Sequence, residues 1–238
     1  DKYGPLATSN LKASINNLVV ISRIYFRGYH PDCVYLGASG GKDRWNSPIG
    51  AYNSKVVYNN WKAGRHFKRA VKEILEYDPE VARAVFDASA EEWLERERSL
   101  VDISAAPLIL NNPELGWRYL HVFNHPTVDY LTKYLREIYY FMGIQVPLDS
   151  CEDPLAESSR FPVYPQVFEA LGVSRAAATT DLKFWRGEQP LTLQEFCEQS
   201  YHLFNEQLRQ KGVSVRTSHG LSEGKRKYSE LYGVHYAS

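Results

Sequence analysis

The sequence is poor in sulfur. It holds three cysteines, Cys33, Cys151 and Cys197, and a single methionine, Met142. An odd count at wide spacings argues against a disulfide framework and against a zinc ribbon. A reducing compartment follows, so a cytoplasmic protein without a metal is expected. No apolar run approaches the ~20 residues that a membrane-crossing helix needs, and no secretory leader pattern stands at the start. Neither sign of charge is in surplus, since 28 Lys and Arg balance 28 Asp and Glu. That balance argues against a nucleic-acid partner, which would call for a basic excess. Walker loops, dinucleotide fingerprints and Gly-x-Ser-x-Gly elbows are missing, as are repeats of solenoid period. The chain opens at Asp1 rather than at Met, as expected of a trimmed or partial chain.

What is present points to a folded domain. The 238 residues are 44% hydrophobic and 13% aromatic, enough for a sizeable core and too apolar for disorder. A single domain over residues 1–238 is expected. Leu18–Phe26 is rich in β-branched and aromatic residues and reads as a buried strand; Trp117–Phe123 is a second strand candidate. Ser47-Pro48 suits a helix start running to about Ala63. A further amphipathic helix spans His66–Tyr77, Asp78-Pro79 starts another, and Ser89 with Glu92 predicts a capping box and a fresh helix. Pro126–Met142 carries Val128, Leu131, Leu135, Ile138 and Met142 as a core-facing stripe, closed by Gly143. After a proline-rich stretch with one short helix near Gln166–Leu171, Thr192 and Glu195 cap a helix reaching Gly212. The resulting fold class is α/β: a small, mainly parallel sheet surrounded by many helices, with a helix-rich C-terminal half.

Two short motifs stand out. Tyr25–Asp32 reads YFRGYHPD and Val122–Thr127 reads VFNHPT. Each places a His-Pro after an apolar run. A residue before proline is driven to extended backbone, so His30 and His125 are expected just past strand ends, where α/β folds gather ligands. A histidine held by a second group is a natural general base, and Asp32 is the candidate to orient one. Arg27 suits phosphate or carboxylate, and Gly28 is expected to let a ligand approach the backbone. Asn124, His125 and Thr127 lie at a helix start, which favours an anion or a developing oxyanion. Arg65 and His66 open another helix in a run of cations and would suit a phosphorylated cofactor. The competing readings are structural: His-Pro turns bonded to carbonyls, and a solvated basic helix face.

Five segments taken in order, IYFRGYHPDCVYL, SPIGAYNSKVVYNNWKAG, FNHPTVDYL, FPVYPQVFEALGV and LTLQEFCEQSY, resemble the WcbI-type family of capsular polysaccharide biosynthesis proteins. The resemblance implies acetyl transfer to a sugar hydroxyl, with coenzyme A as donor and a sugar or polysaccharide as acceptor. Under that activity His30 or His125 is the candidate base, with Asp32 orienting, and Arg27, Tyr29, Arg65, His66, Asn124 and Thr127 are candidate contacts to the donor. Members open with a Gly-Asn-Cys-Gln turn carrying a suspected catalytic cysteine, and no segment here matches it. Members also often carry His where Asn53 stands. The alternatives are a non-catalytic carbohydrate- or nucleotide-binding module, for which 17 tyrosines and five tryptophans offer stacking surfaces, and an esterase using water as acceptor.

Overall fold

The computed structural model describes residues 6–37, 44–145, 147–148, 151–173 and 181–211. In chain order the elements are α1 (Thr8–Ser14), β1 (Cys33–Val34), β2 (Asn53–Ser54), α2 (Lys55–Lys62), α3 (Phe67–Leu75) and α4 (Pro79–Glu97). Then come α5 (Ala106–Leu110), α6 (Pro113–Gly116), a 3₁₀ turn at Trp117–Tyr119, β3 (Leu120–Val122), β4 (His125–Pro126) and α7 (Val128–Phe141). The described chain ends with α8 (Pro165–Ala170), β5 (Lys183–Trp185), β6 (Pro190–Thr192) and α9 (Leu193–Gln210). Two compact units form: one from the described residues of 1–31, 78–156 and 165–179, the other from those of 32–77, 157–164 and 180–238.

In the first unit α4 starts where local chemistry dictates. Asp78 accepts the Glu80 N–H at 2.8 Å and Pro79 occupies the first turn. Its buried positions Ala82, Phe86, Trp93 and Glu97 fall on one face. Phe26, Tyr29 and Phe86 pack edge to face at 5.1–5.6 Å between ring centroids. Gly28 sits beneath those rings. A Cβ there would lie 2.7 Å from the Phe86 ring and closer still to Phe26, so the glycine serves aromatic packing rather than ligand approach. Gly28→Ala is expected to cost about 1–3 kcal/mol by overpacking, read as an earlier urea midpoint; an unchanged midpoint would contradict this packing.

A buried polar network fixes α7 in the same unit. Glu97 accepts hydrogen bonds from Ser22 Oγ, Trp93 Nε1 and Ser104 Oγ. Ser22 Oγ in turn accepts the Ala105 N–H at 2.7 Å, and the Ser22 N–H donates to the Tyr134 hydroxyl at 2.6 Å. Tyr134 and Tyr130 donate to the carbonyls of Ile103 and Ala105 at 2.6 and 2.9 Å. Burial first, then Tyr134 and Glu97, push the Tyr130 phenol up, so it stays a donor.

The second unit joins β1 and β2, with Cys33 opposite Ser54, to α2, α3 and α9. The β5–β6 ladder lies against α9, where the Phe184 and Phe196 rings stack at 3.8 Å. The α9 capping box of Thr192 and Glu195 forms as expected.

The structure corrects several expectations. Among the described residues the three ladders are all antiparallel, and parallel pairing is limited to one bridge, Ile21 to Ile103. No mainly parallel sheet is seen among those residues, because Leu18–Phe26 forms only the Ile21 bridge and leaves Val19 and Ile21 exposed. Helix is spread over both halves of the described residues, and the longest helix among them, α4, precedes residue 100. Ser47 closes a tight turn with Gly50 by reciprocal backbone bonds instead of starting a helix; α2 starts eight residues later, capped by Ser54. Ser89 lies inside α4, which runs unbroken because Phe86 and Trp93 bury the same face. On α7 the buried residues are Tyr130 and Tyr134, whereas Leu131 and Met142 are 40% and 53% exposed. Gly212 lies outside the described residues.

Candidate functional site

The second His-Pro motif forms a hairpin. β3 and β4 pair antiparallel, Val122 opposite His125 and Leu120 opposite Pro126, across a turn at Phe123 and Asn124. The Thr127 N–H donates to the Tyr119 carbonyl at 2.9 Å, and its side chain accepts the Tyr130 N–H at 3.3 Å, starting α7. The hairpin therefore delivers His121, Asn124, His125 and Thr127 to one helix start. The first His-Pro motif lies alongside: the Phe26 N–H donates to the Phe123 carbonyl at 2.7 Å, and the Tyr25 and Phe123 rings meet at 5.1 Å.

Asp153 completes the hairpin site. It approaches His121 Nε2 at 2.9 Å and accepts the N–H groups of Val128 at 3.1 Å and Leu155 at 2.8 Å. Burial pushes this carboxyl up, but the bonds from His121, Leu155 and Val128 outweigh it and hold the group below its usual range. Burial, then the neighbouring His121 charge, lowers His125. His125 therefore stays neutral near pH 7, as a proton acceptor must.

A cavity of about 580 Å³ opens at this helix start, lined by Arg118, Thr127, Lys133, Arg136, Cys151 and Asp153 among others. Lys133 pairs with Asp129 on the next turn and lies 5.0 Å from the centre of the Tyr119 ring. Arg118 and Arg136 have no carboxylate partner among the described residues.

The other sequence candidates are distributed as follows. Arg27, Tyr29 and His30 share a turn closed by the His30 N–H to the Arg27 carbonyl at 2.9 Å. His30 is only 1% exposed, and Tyr29 is buried with its hydroxyl toward the Ile109 carbonyl. Asp32, Arg65 and His66 belong to the second unit. Asp32 accepts from Ser54 Oγ, the Val56 N–H at 2.8 Å and the Tyr164 hydroxyl at 2.8 Å. Burial raises its pKa against those three bonds. Ser54 caps α2 and Val56 lies in its first turn, so Asp32 braces the start of that helix. His66 caps α3, its Nδ1 accepting the Lys68 N–H at 3.3 Å. Arg65 reaches Asn60 and Glu73 at 3.5 Å, and Glu73 also takes Arg69 at 2.8 Å, so much of that cationic run is neutralised locally. Asn53 is fully buried and donates to the carbonyls of Trp45 and Ala51.

Sequence reasoning missed His121, Asp153, Arg118, Lys133 and Arg136. The alternation Leu120, His121, Val122, with His121 on the side opposite two buried residues, was a usable signal for the first. The i, i+3 spacing of Lys133 and Arg136 was another. Nothing local marks Asp153, which lies 32 residues beyond His121. Among the described residues no group of three or more His, Cys, Asp or Glu side chains could hold a metal ion, and no helix is long and apolar enough to cross a membrane.

Comparison with known proteins bears out the resemblance drawn from the motifs. A family model described as polysaccharide biosynthesis enzyme WcbI matches residues 1–147. A solved structure of WcbI, a novel polysaccharide biosynthesis enzyme, in its native form without a disulfide bond between coenzyme A and a cysteine, shares this fold. The identity is 16% and the TM-score 0.58, covering 82% of this chain and 68% of that one. No curated protein matches.

Proposed function

The chain belongs to the WcbI family of polysaccharide biosynthesis enzymes, and from that premise we propose that it moves an acetyl group from coenzyme A to a sugar hydroxyl during the building of a capsular or surface polysaccharide in the cytoplasm. The observation that carries this reading is the hairpin at the start of α7, which sets a neutral, half-buried His125 beside a His121–Asp153 pair. Coenzyme A supplies the acyl group already activated as a thioester. The related structure's association with coenzyme A supports that donor.

The protein's own groups then have these roles. A ring nitrogen of His125 takes the proton of the acceptor hydroxyl as its oxygen bonds to the acyl carbon, and later returns a proton to the departing sulfur. Asp153 fixes the His121 ring, and burial first, then the neighbouring His121, lower the pKa of His125. The N–H groups of Thr127 and Val128 are engaged by Tyr119 and Asp153, so oxyanion stabilisation falls to the Asn124 amide. His30, sealed at the neighbouring turn, and Asp32, at the start of α2, are assigned positioning roles. Arg27, Tyr29, Arg65 and His66 are retained as candidate contacts to the donor. Incubation of the purified chain with acetyl-coenzyme A and surface oligosaccharides tests the reading, following free thiol together with sugar mass. Thiol release matched by acetylated sugar is expected. Thiol release without sugar acetylation would make it a hydrolase, and neither signal would overturn the proposal.

A further inference from the structure

We propose that the cavity at the start of α7 is a phosphoryl-binding subsite, with Arg118 and Arg136 as its anion-holding groups; this rests on the transferase reading for its biological role but not for its chemistry. The argument comes from how the charges in the wall are already used. Two carboxylates face the cavity. Asp129 is paired with Lys133, and Asp153 is taken by His121 and two backbone N–H groups. Two guanidiniums remain, one from the 3₁₀ turn and one from α7, both exposed and neither paired with a carboxylate among the described residues; Arg118 lies 5.0 Å from the centre of the Trp117 ring, a contact that leaves its N–H edge open to an anion.

Hydroxyl groups line the same wall. Thr127 accepts the Tyr130 N–H at its oxygen, which leaves its own O–H proton to donate, and Thr132 of α7 lines the same cavity. Two planar, permanently charged forks with two hydroxyl donors exceed what a carboxylate's two oxygens can use. They match the three oxygens and higher charge of a phosphoryl group. A volume of about 580 Å³ admits a phosphoryl group with a sugar or nucleoside attached. The phosphoryl group has two possible sources, the phosphates of the acyl donor and a phosphate on the sugar acceptor.

Titration calorimetry with inorganic pyrophosphate tests the site directly, on wild type, Arg118→Ala, Arg136→Ala and the double variant. Both arginines are exposed, so the variants are expected to fold, and thermal melts check this. Loss of one charge-assisted contact is expected to weaken binding about tenfold or more, and the double variant further. Absence of wild-type binding, or equal affinity in the double variant, overturns the proposal. Coenzyme A against pantetheine, and glucose 1-phosphate against glucose, then assign the source. Arginine sensitivity confined to coenzyme A makes the subsite the donor's, and sensitivity confined to glucose 1-phosphate makes it the acceptor's. A chain that binds pyrophosphate through these arginines yet transfers no acetyl group keeps this proposal and loses the transferase reading. Acetyl transfer with unaltered affinity in the double variant does the reverse.

Discussion

Replacing His125 with alanine is expected to lower the rate of acetyl transfer by about 10²–10⁴-fold, the ordinary contribution of a positioned general base. At 1.36 kcal/mol per factor of ten this is about 3–5 kcal/mol of transition-state stabilisation. The loss belongs mainly in kcat, because the proton moves only as the reaction proceeds. The pH profile separates a base from a merely structural ring. His125 must be neutral to act, so kcat/KM rises with pH through its pKa. Burial and then the His121 charge set that pKa below the ordinary value, so the limb lies below pH ~6.5 and activity is level at neutrality. His121→Ala removes the smaller of the two causes and is expected to move the limb to higher pH. A His125→Ala enzyme that keeps wild-type turnover, or an acid limb above pH ~7, would remove His125 from the chemistry.

The largest expected effect on stability is at Glu97. Its carboxylate is buried and accepts from Ser22, Trp93 and Ser104. Glu97→Ala leaves the fully buried Trp93 indole N–H without its acceptor and loosens the link from Ser22 to α7. Leaving a buried donor without its acceptor costs about 1–3 kcal/mol for each stranded group, and Glu97 serves the donors of Ser22, Trp93 and Ser104. Urea unfolding followed by tryptophan fluorescence measures it. Glu97→Gln keeps one acceptor oxygen and is expected to fall between wild type and Glu97→Ala. A loss below ~1 kcal/mol in Glu97→Ala would show that the network does not support the fold. Because Tyr134 and Tyr130 in this network hold α7, the same variant is expected to reduce activity as well.

Local chemistry was legible in the residues themselves. Asp78-Pro79 starts α4, Thr192 with Glu195 starts α9, and Gly143, with a φ of +67°, follows α7. Each signal acts within a few residues through a cap bond or a permitted dihedral. The family was legible for the same reason, since its motifs are short and contiguous. The two motifs meet at one backbone bond, from the Phe26 N–H to the Phe123 carbonyl. Their histidines differ in burial, His30 sealed and His125 half-buried, and no window of sequence displays that difference.

By itself, then, the sequence determined the helix starts at Pro79 and Leu193 and the WcbI membership. These rest on interactions between near neighbours in the chain. The helix expected from Pro126 starts instead at Val128, because His125 and Pro126 pair as β4. Only the tertiary structure decided which face of α7 is buried, since Tyr130 and Tyr134 can go inward only where the carbonyls of Ala105 and Ile103 meet their hydroxyls. It also decided that Asp153 would serve His121, and that Arg118 would face the same cavity as Arg136. Those partners are separated by 32 and 18 positions, 136 less 118 for the second pair. Such meetings are set by how the chain folds in space, so no local pattern records them.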